Sequence, residues 1–139
     1  MIRLRTLGRI DLEGVEEEAA RSVLRGSKRL GLLAHLVLAR PGGYLRRDTL
    51  LALFWPDRDE RRARHALRNT LYELRQALGA ATLPGRGQDE VGVDLGELSC
   101  DALDVRRALE AGEDAEAVEL YAGELLPGLH VDGASRAFE

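Results

Sequence analysis

Arg61, His65, Arg68, Asn69 and Tyr72 recur at helical spacing within LFWPDRDERRARHALRNTLYELRQALG, and as a set they can hydrogen-bond a polyanion. On a helix of about 3.6 residues per turn they share one face with Gln76, while Ala63, Leu67, Thr70, Leu71, Leu74 and Leu78 form an opposite, apolar stripe. Guanidinium groups pair with phosphate oxygens or with the edge of a guanine, and the Asn69 amide has the donor and acceptor that an adenine edge requires. Arg68 and Asn69 are therefore the candidate base readers, with Arg61, Arg64 and Tyr72 better placed for phosphates and Arg62 beside them. The plainer alternative is a solvated helix face held by weak ion pairs to Glu60 and Glu73.

A helix that presents such a face needs defined ends. Pro56 cannot continue the preceding helix, Asp57 and Glu60 stand at capping-box spacing with Asp59 as the rival N-cap, and Gly79 suits the C-terminal stop. The span Glu60 to Leu78 is then about 28 Å long. Upstream, Ser27 can cap a core helix through Arg40, carrying Leu30, Leu33, Ala34, Val37 and Leu38 inward and ending at Pro41-Gly42-Gly43. Tyr44 to Arg46 is long enough only for a bridging strand. Asp48 can cap a second helix that packs Leu50, Leu51, Leu53 and Phe54, with Trp55 near its end. Two helices joined by a short turn, the second amphipathic and basic, match the arrangement that sets a helix into the major groove. Lys28, Arg46, Arg47 and Thr49 would hold the flanking phosphate backbone.

Strand patterns lie on either side of these helices. Ile2, Leu4 and Thr6 alternate with Arg3 and Arg5, and Ile10 to Leu12 resumes the pattern after Gly8, giving an antiparallel pair with both arginines outward. GVEEEAAR reads as loop or helical turn, and Ser22 to Arg25 as a third strand. Ala80 to Leu83, the turn PGRGQDE and Val91 to Leu95 form a wing hairpin, with Arg86 at its tip. DALDVRRALEAG and EDAEAVELYAG read as two short helices with Leu103, Val105, Leu109, Val118, Leu120 and Tyr121 as their apolar residues. The expectation is an α+β fold, a winged helix-turn-helix over residues 1–97 followed by a helical segment over 98–139 that looks cut from a longer array.

Charge divides the chain at Gly79 into a basic and an acidic part. The chain carries a formal −4, yet residues 1–79 hold 16 basic and 10 acidic side chains (+6), whereas residues 80–139 hold 4 and 14 (−10). A single cysteine, Cys100, excludes an internal disulfide framework and no Cys/His cluster has zinc-site spacing, so a cytoplasmic setting without metal or cofactor is expected. No apolar run is long enough to span a membrane. An enzyme is poorly supported: Ser22, Ser27, Ser99 and Ser135 lie outside any nucleophile elbow, Gly85-Arg86-Gly87 lacks the helix of a phosphate loop, and His35, His65 and His130 stand apart from catalytic partners. A protein-interaction module with an incidental basic helix is the other competing reading.

With these motifs in order, the chain resembles the Streptomyces antibiotic regulatory protein family of transcriptional activators. The matching segments are SKRLGLLAHLVLA, LRRDTLLALFWPD and ARHALRNTLYELRQALG, then LSCDALDVRRALEAG and AVELYAGELLPG. The resemblance implies an OmpR-type winged helix that binds double-stranded DNA, joined to the opening of a tetratricopeptide-like bacterial transcriptional activator domain. It also implies a nucleoid-associated regulator, a homodimer on direct-repeat sites, and RNA polymerase as a partner of the acidic unit. Two departures stand out. PGRGQDE sets Arg86 against Asp89 and Glu90 where family wings are more basic, and Glu16-Glu17-Glu18 adds negative charge that should face away from a duplex.

Overall fold

Alternating Ile2 and Leu4 with Arg3 and Arg5 gives β1 (Ile2–Arg5), whose apolar side chains enter the core and whose arginines stay half-buried. The computed structural model describes residues 1–112; the second acidic helix expected from Glu113, the LYAGELLPG motif, His130 and Ser135 lie outside that range. β2 (Asp11–Glu13) pairs antiparallel with β1 in the register Leu4 to Leu12. The third strand of this sheet, β6 (Leu98–Cys100), was not expected from its sequence; it comes last of the strands in the chain and runs parallel to β1 with Leu4 opposite Cys100.

Four helices follow the first two strands before the second sheet is complete. α1 (Glu17–Arg25) includes Ser22 to Arg25, where a strand was expected: Val23 is fully buried, Ala20 and Leu24 pack beside it, and the charged positions point to solvent at helical spacing. α2 (Ser27–Ala39) is apolar on nearly every side and buries Leu30, Leu32, Leu33, Ala34, Leu36 and Val37. Its N-cap is Gly26 and not Ser27, which already lies in the helix and makes no capping bond. β3 (Tyr44–Arg46) leads into α3 (Arg47–Phe54), which starts two residues earlier than an Asp48 cap would place it; Asp48 sits in the first turn and pairs with arginines instead.

α4 (Glu60–Leu78) has the bounds and the buried stripe that its periodicity indicates: Ala63, Leu67, Thr70, Leu71, Leu74 and Leu78 are all buried. Asp59, not Asp57, is the N-cap, accepting a bond from the Arg62 N–H at 2.8 Å. Gly79 ends the helix with φ +96°, a conformation few other residues tolerate. Each buried leucine of this stripe contributes on the order of 1.5–3 kcal/mol over an exposed one.

The second sheet has the order β3-β5-β4. Ala80 to Thr82 forms a 3-10 turn, not the first strand of the hairpin. That strand is β4 (Gly85–Arg86), inside what reads as the turn, and it pairs with β5 (Glu90–Gly92). α5 (Asp101–Glu110) then packs on β1 and β6. Ala108 is its buried aliphatic residue, Leu103 and Val105 are half-buried, and Leu109, expected inside, is exposed. The fold is mixed α+β, with one core shared by both sheets and the first four helices.

Candidate nucleic-acid interface

Seating the apolar stripe of α4 in the core forces the other side of that helix into solvent. Arg61, Arg62, Arg64, His65, Arg68, Asn69 and Tyr72 are all exposed, Tyr72 at 63% despite its aromatic ring. They form one continuous basic and amide-bearing surface, along which a shallow groove runs past Asp59, Arg61, His65 and Arg68.

The arginines differ in what they already bind. Arg64 pairs with Glu60 at 2.6 Å and with Asp48 at 3.8 Å, and Arg62 lies 3.6 Å from Asp59. Such exposed pairs contribute roughly 0.2–1 kcal/mol each, so a phosphate can replace the carboxylate at small cost. Arg61 and Arg68 have no hydrogen bond or ion pair among the described residues. Asn69 and His65, one turn apart, hold each other at 3.2 Å between Nδ2 and Nε2. That contact uses one hydrogen of the Asn69 amide and leaves its second hydrogen and its oxygen for an outside partner.

The residues expected to hold flanking phosphates separate into three situations. Arg46 and Thr49 are exposed where α3 begins, with Arg46 loosely paired to Asp48 at 3.5 Å. Arg47 is half-buried, and its Nε has no hydrogen-bond partner. Burial lowers the Arg47 pKa, the nearby Arg75 and Arg68 lower it further, and Asp89 opposes them. Lys28 does not reach outward: its Nζ donates to the Phe54 carbonyl and lies 5.3 Å over the Trp55 ring, so it closes the C-terminal end of α3.

Arg86 is exposed on the hairpin, but its charge is already met. Nε and Nη2 donate to the two oxygens of Glu90 at 3.0 and 2.9 Å, and the guanidinium stacks 4.5 Å over Tyr44. The hydrogen bonding holds the Arg86 pKa above its ordinary value and the Glu90 carboxyl below its own. Asp89, the other acid expected to face it, makes no ion pair with Arg86 among the described residues; its backbone carbonyl accepts the Arg47 N–H at 2.7 Å.

Arg75 belongs to this surface although its role was not foreseen. It follows Arg68 by two helical turns, which was the available signal, and its Nε and Nη2 both donate to the Leu83 carbonyl at 3.0 and 2.9 Å. Among the described residues no group of three His, Cys, Asp or Glu side chains is arranged to hold a metal, and no helix is long and apolar enough to cross a membrane. The chemistry open to the face is hydrogen bonding and charge pairing with an anionic polymer. No protein-family model matches the chain, and no curated protein matches it either.

Proposed function

We propose that this chain binds double-stranded DNA with sequence preference, as the DNA-contacting part of a bacterial transcription regulator. The observation that carries the reading is the outer face of α4: a rigid helix, fixed by six buried residues, presents Arg61 and Arg68 without internal partners beside an amide with unused hydrogen-bonding groups. A helix so held can enter the major groove with little ordering cost, since its side chains stand on a backbone already fixed.

In this reading α3 and α4 form the helix-turn-helix of a winged helix, the β4–β5 hairpin is its wing, and α5 opens a helical activator unit. Arg68 and Asn69 read base edges, Arg61, Arg62, Arg64 and Tyr72 contact phosphates, and Arg46 and Thr49 steady the flanking strand. The Arg86–Glu90 pair gives the wing a small share of the electrostatic attraction. A homodimer on direct repeats and contact with RNA polymerase are further proposals that follow from the family resemblance, as is a cytoplasmic, nucleoid-associated location.

Binding to a random-sequence duplex, followed by fluorescence anisotropy across a salt series, tests the reading. If about five phosphates are neutralised, log affinity falls against log salt with a slope near −4 to −5. Selection from a random pool should then yield a preferred site, and Arg68→Ala with Asn69→Ala should cost roughly 1–3 kcal/mol each on that site alone. Absence of duplex binding at low salt would sink the proposal, and unchanged site preference in the double variant would remove the base-reading roles.

A further inference from the structure

His65 and Asn69 stand one turn apart on the exposed face of α4, and their contact decides which hydrogen-bonding groups Asn69 has left to offer. The Asn69 Nδ2 lies 3.2 Å from the His65 Nε2. An amide nitrogen can donate but not accept, so the His65 Nε2 in this contact is the bare nitrogen of a neutral ring whose hydrogen sits on Nδ1. One acceptor and one donor of Asn69 then remain for an outside partner. That pair matches the N6–H and N7 of an adenine edge.

Protonating the ring reverses the arrangement. An imidazolium has a hydrogen on both nitrogens, so two donors would face each other across the same gap. A half-turn of the amide about its Cβ–Cγ bond removes the conflict, because it brings Oδ1 to the His65 Nε2–H in a charge-assisted hydrogen bond. The oxygen is now turned to the ring, and the two Nδ2 hydrogens are what the amide offers outward. Donors alone suit the O6 and N7 acceptors of guanine and have nothing for the N6–H of adenine.

The charges around the ring leave Asn69 as its acceptor. In the groove that holds His65, Asp59 is engaged by Arg62 and Glu60 by Arg64, which also reaches Asp48 of α3. Arg61 and Arg68 flank the ring on its own helix, and Asp57 and Arg58 line the groove from the turn before it. Among the described residues His65 makes no ion pair with any of these carboxylates.

We propose that His65 sets the base preference of Asn69 according to pH, adenine while the ring is neutral and guanine once it is protonated. His65 is thus a positioning residue that acts through the Asn69 amide. The inference rests on the DNA reading of α4 for the base edge, whereas the turn of the amide needs no DNA.

Two measurements on the full chain test it. Without DNA, the Asn69 side-chain amide resonances are followed by NMR from about pH 8 to about pH 5, the range in which histidine changes charge. They should move in step with the His65 ring in the wild type and stay in place in His65→Gln. With DNA, a site is selected from a random pool, and the position read by Asn69 is the one at which Asn69→Ala loses its preference. Affinities for adenine and for guanine at that position are then compared at both pH values. The wild type should favour adenine by about tenfold at the higher pH and lose or reverse that preference at the lower, while His65→Gln keeps one ratio throughout. A ratio of two affinities on one protein cancels any loss of folded chain in acid. Amide resonances that ignore the His65 ring overturn the inference and leave the DNA reading intact. So does a base ratio that is constant with pH in the wild type, or that shifts equally in His65→Gln. If Asn69→Ala loses preference at no position, the coupling has no base to act on and the inference falls. If no duplex binds at either pH, the DNA reading falls and takes the inference with it.

Discussion

His35 is a titratable side chain at the edge of the core. It sits half-buried on α2 with its ring edge-on to Phe54 at 5.9 Å, and burial lowers its pKa from the ordinary 6.5. A histidine whose folded pKa is depressed is protonated first in the unfolded chain, so its contribution to stability is complete above the ordinary value. That contribution is lost as pH falls through the ordinary value and then through the lowered folded one. Urea unfolding should therefore show a steeper loss of stability as pH falls below 6.5 for the wild type than for His35→Gln. Equal pH slopes for the two proteins would remove His35 as the cause. The Arg86–Glu90 pair shows what spacing alone conveys at this scale: the opposed charges were legible, but the stacking of Arg86 on Tyr44 depends on β5 lying between β3 and β4.

The element that presents the candidate interface begins at one side chain. Asp59 Oδ1 accepts the Arg62 N–H and satisfies one of the orphan donors of the first turn of α4. Asp59→Ala should cost about 1 kcal/mol of unfolding free energy, read from chemical denaturation, and should fray the turn that carries Arg61 and Arg62. A change below a few tenths would show that another group caps α4. The body of α4 was legible because nineteen residues repeat one apolar period many times over, and no competing element fits so long a pattern. Its cap was less legible, since Asp57 and Asp59 both have the side chain for the role and only the path of the Pro56 turn selects between them. The shortest elements carried no such signal. β4 has two residues and β6 three, and pairing fixes them, in β6 with a strand almost a hundred positions earlier, not local pattern. α1 misled for the opposite reason, because Val23 is its one fully buried residue and a single apolar position cannot distinguish a period of two from one of 3.6.

At the scale of the whole molecule, the joint between the basic first part of the chain and the acidic part that follows is a buried carboxylate. Asp101, 5% exposed, accepts from the Thr6 N–H at 2.8 Å, the Thr6 hydroxyl at 2.9 Å, the Leu7 N–H at 3.1 Å and the Ala102 N–H at 2.8 Å. It thereby fastens the first turn of α5 to the end of β1, a place where the chain would otherwise leave buried donors without acceptors. Two further contacts extend the joint: Arg3 bonds Asp104 at 2.6 Å, and Arg106 donates to the Leu38 carbonyl at 3.2 Å, near the end of α2. Of the β1 arginines, Arg3 is thus held by α5 and Arg5 by Glu13 of β2 at 3.0 Å, so neither is an unpaired charge for a polyanion as Arg61 and Arg68 on α4 are. Asp101→Ala strands the Thr6 and Leu7 donors together and should lower unfolding free energy by about 2–4 kcal/mol, measured by urea denaturation. Duplex affinity, measured well below the unfolding temperature, should stay within about twofold of wild type, because the α4 face remains seated by its own leucines. A stability loss under about 0.5 kcal/mol would mean that water replaces the carboxylate at Thr6 and Leu7. A large loss of duplex affinity at full folding would instead make the β1–α5 joint part of what orients α4, and would tie the acidic continuation of the chain to the interface through the sheet.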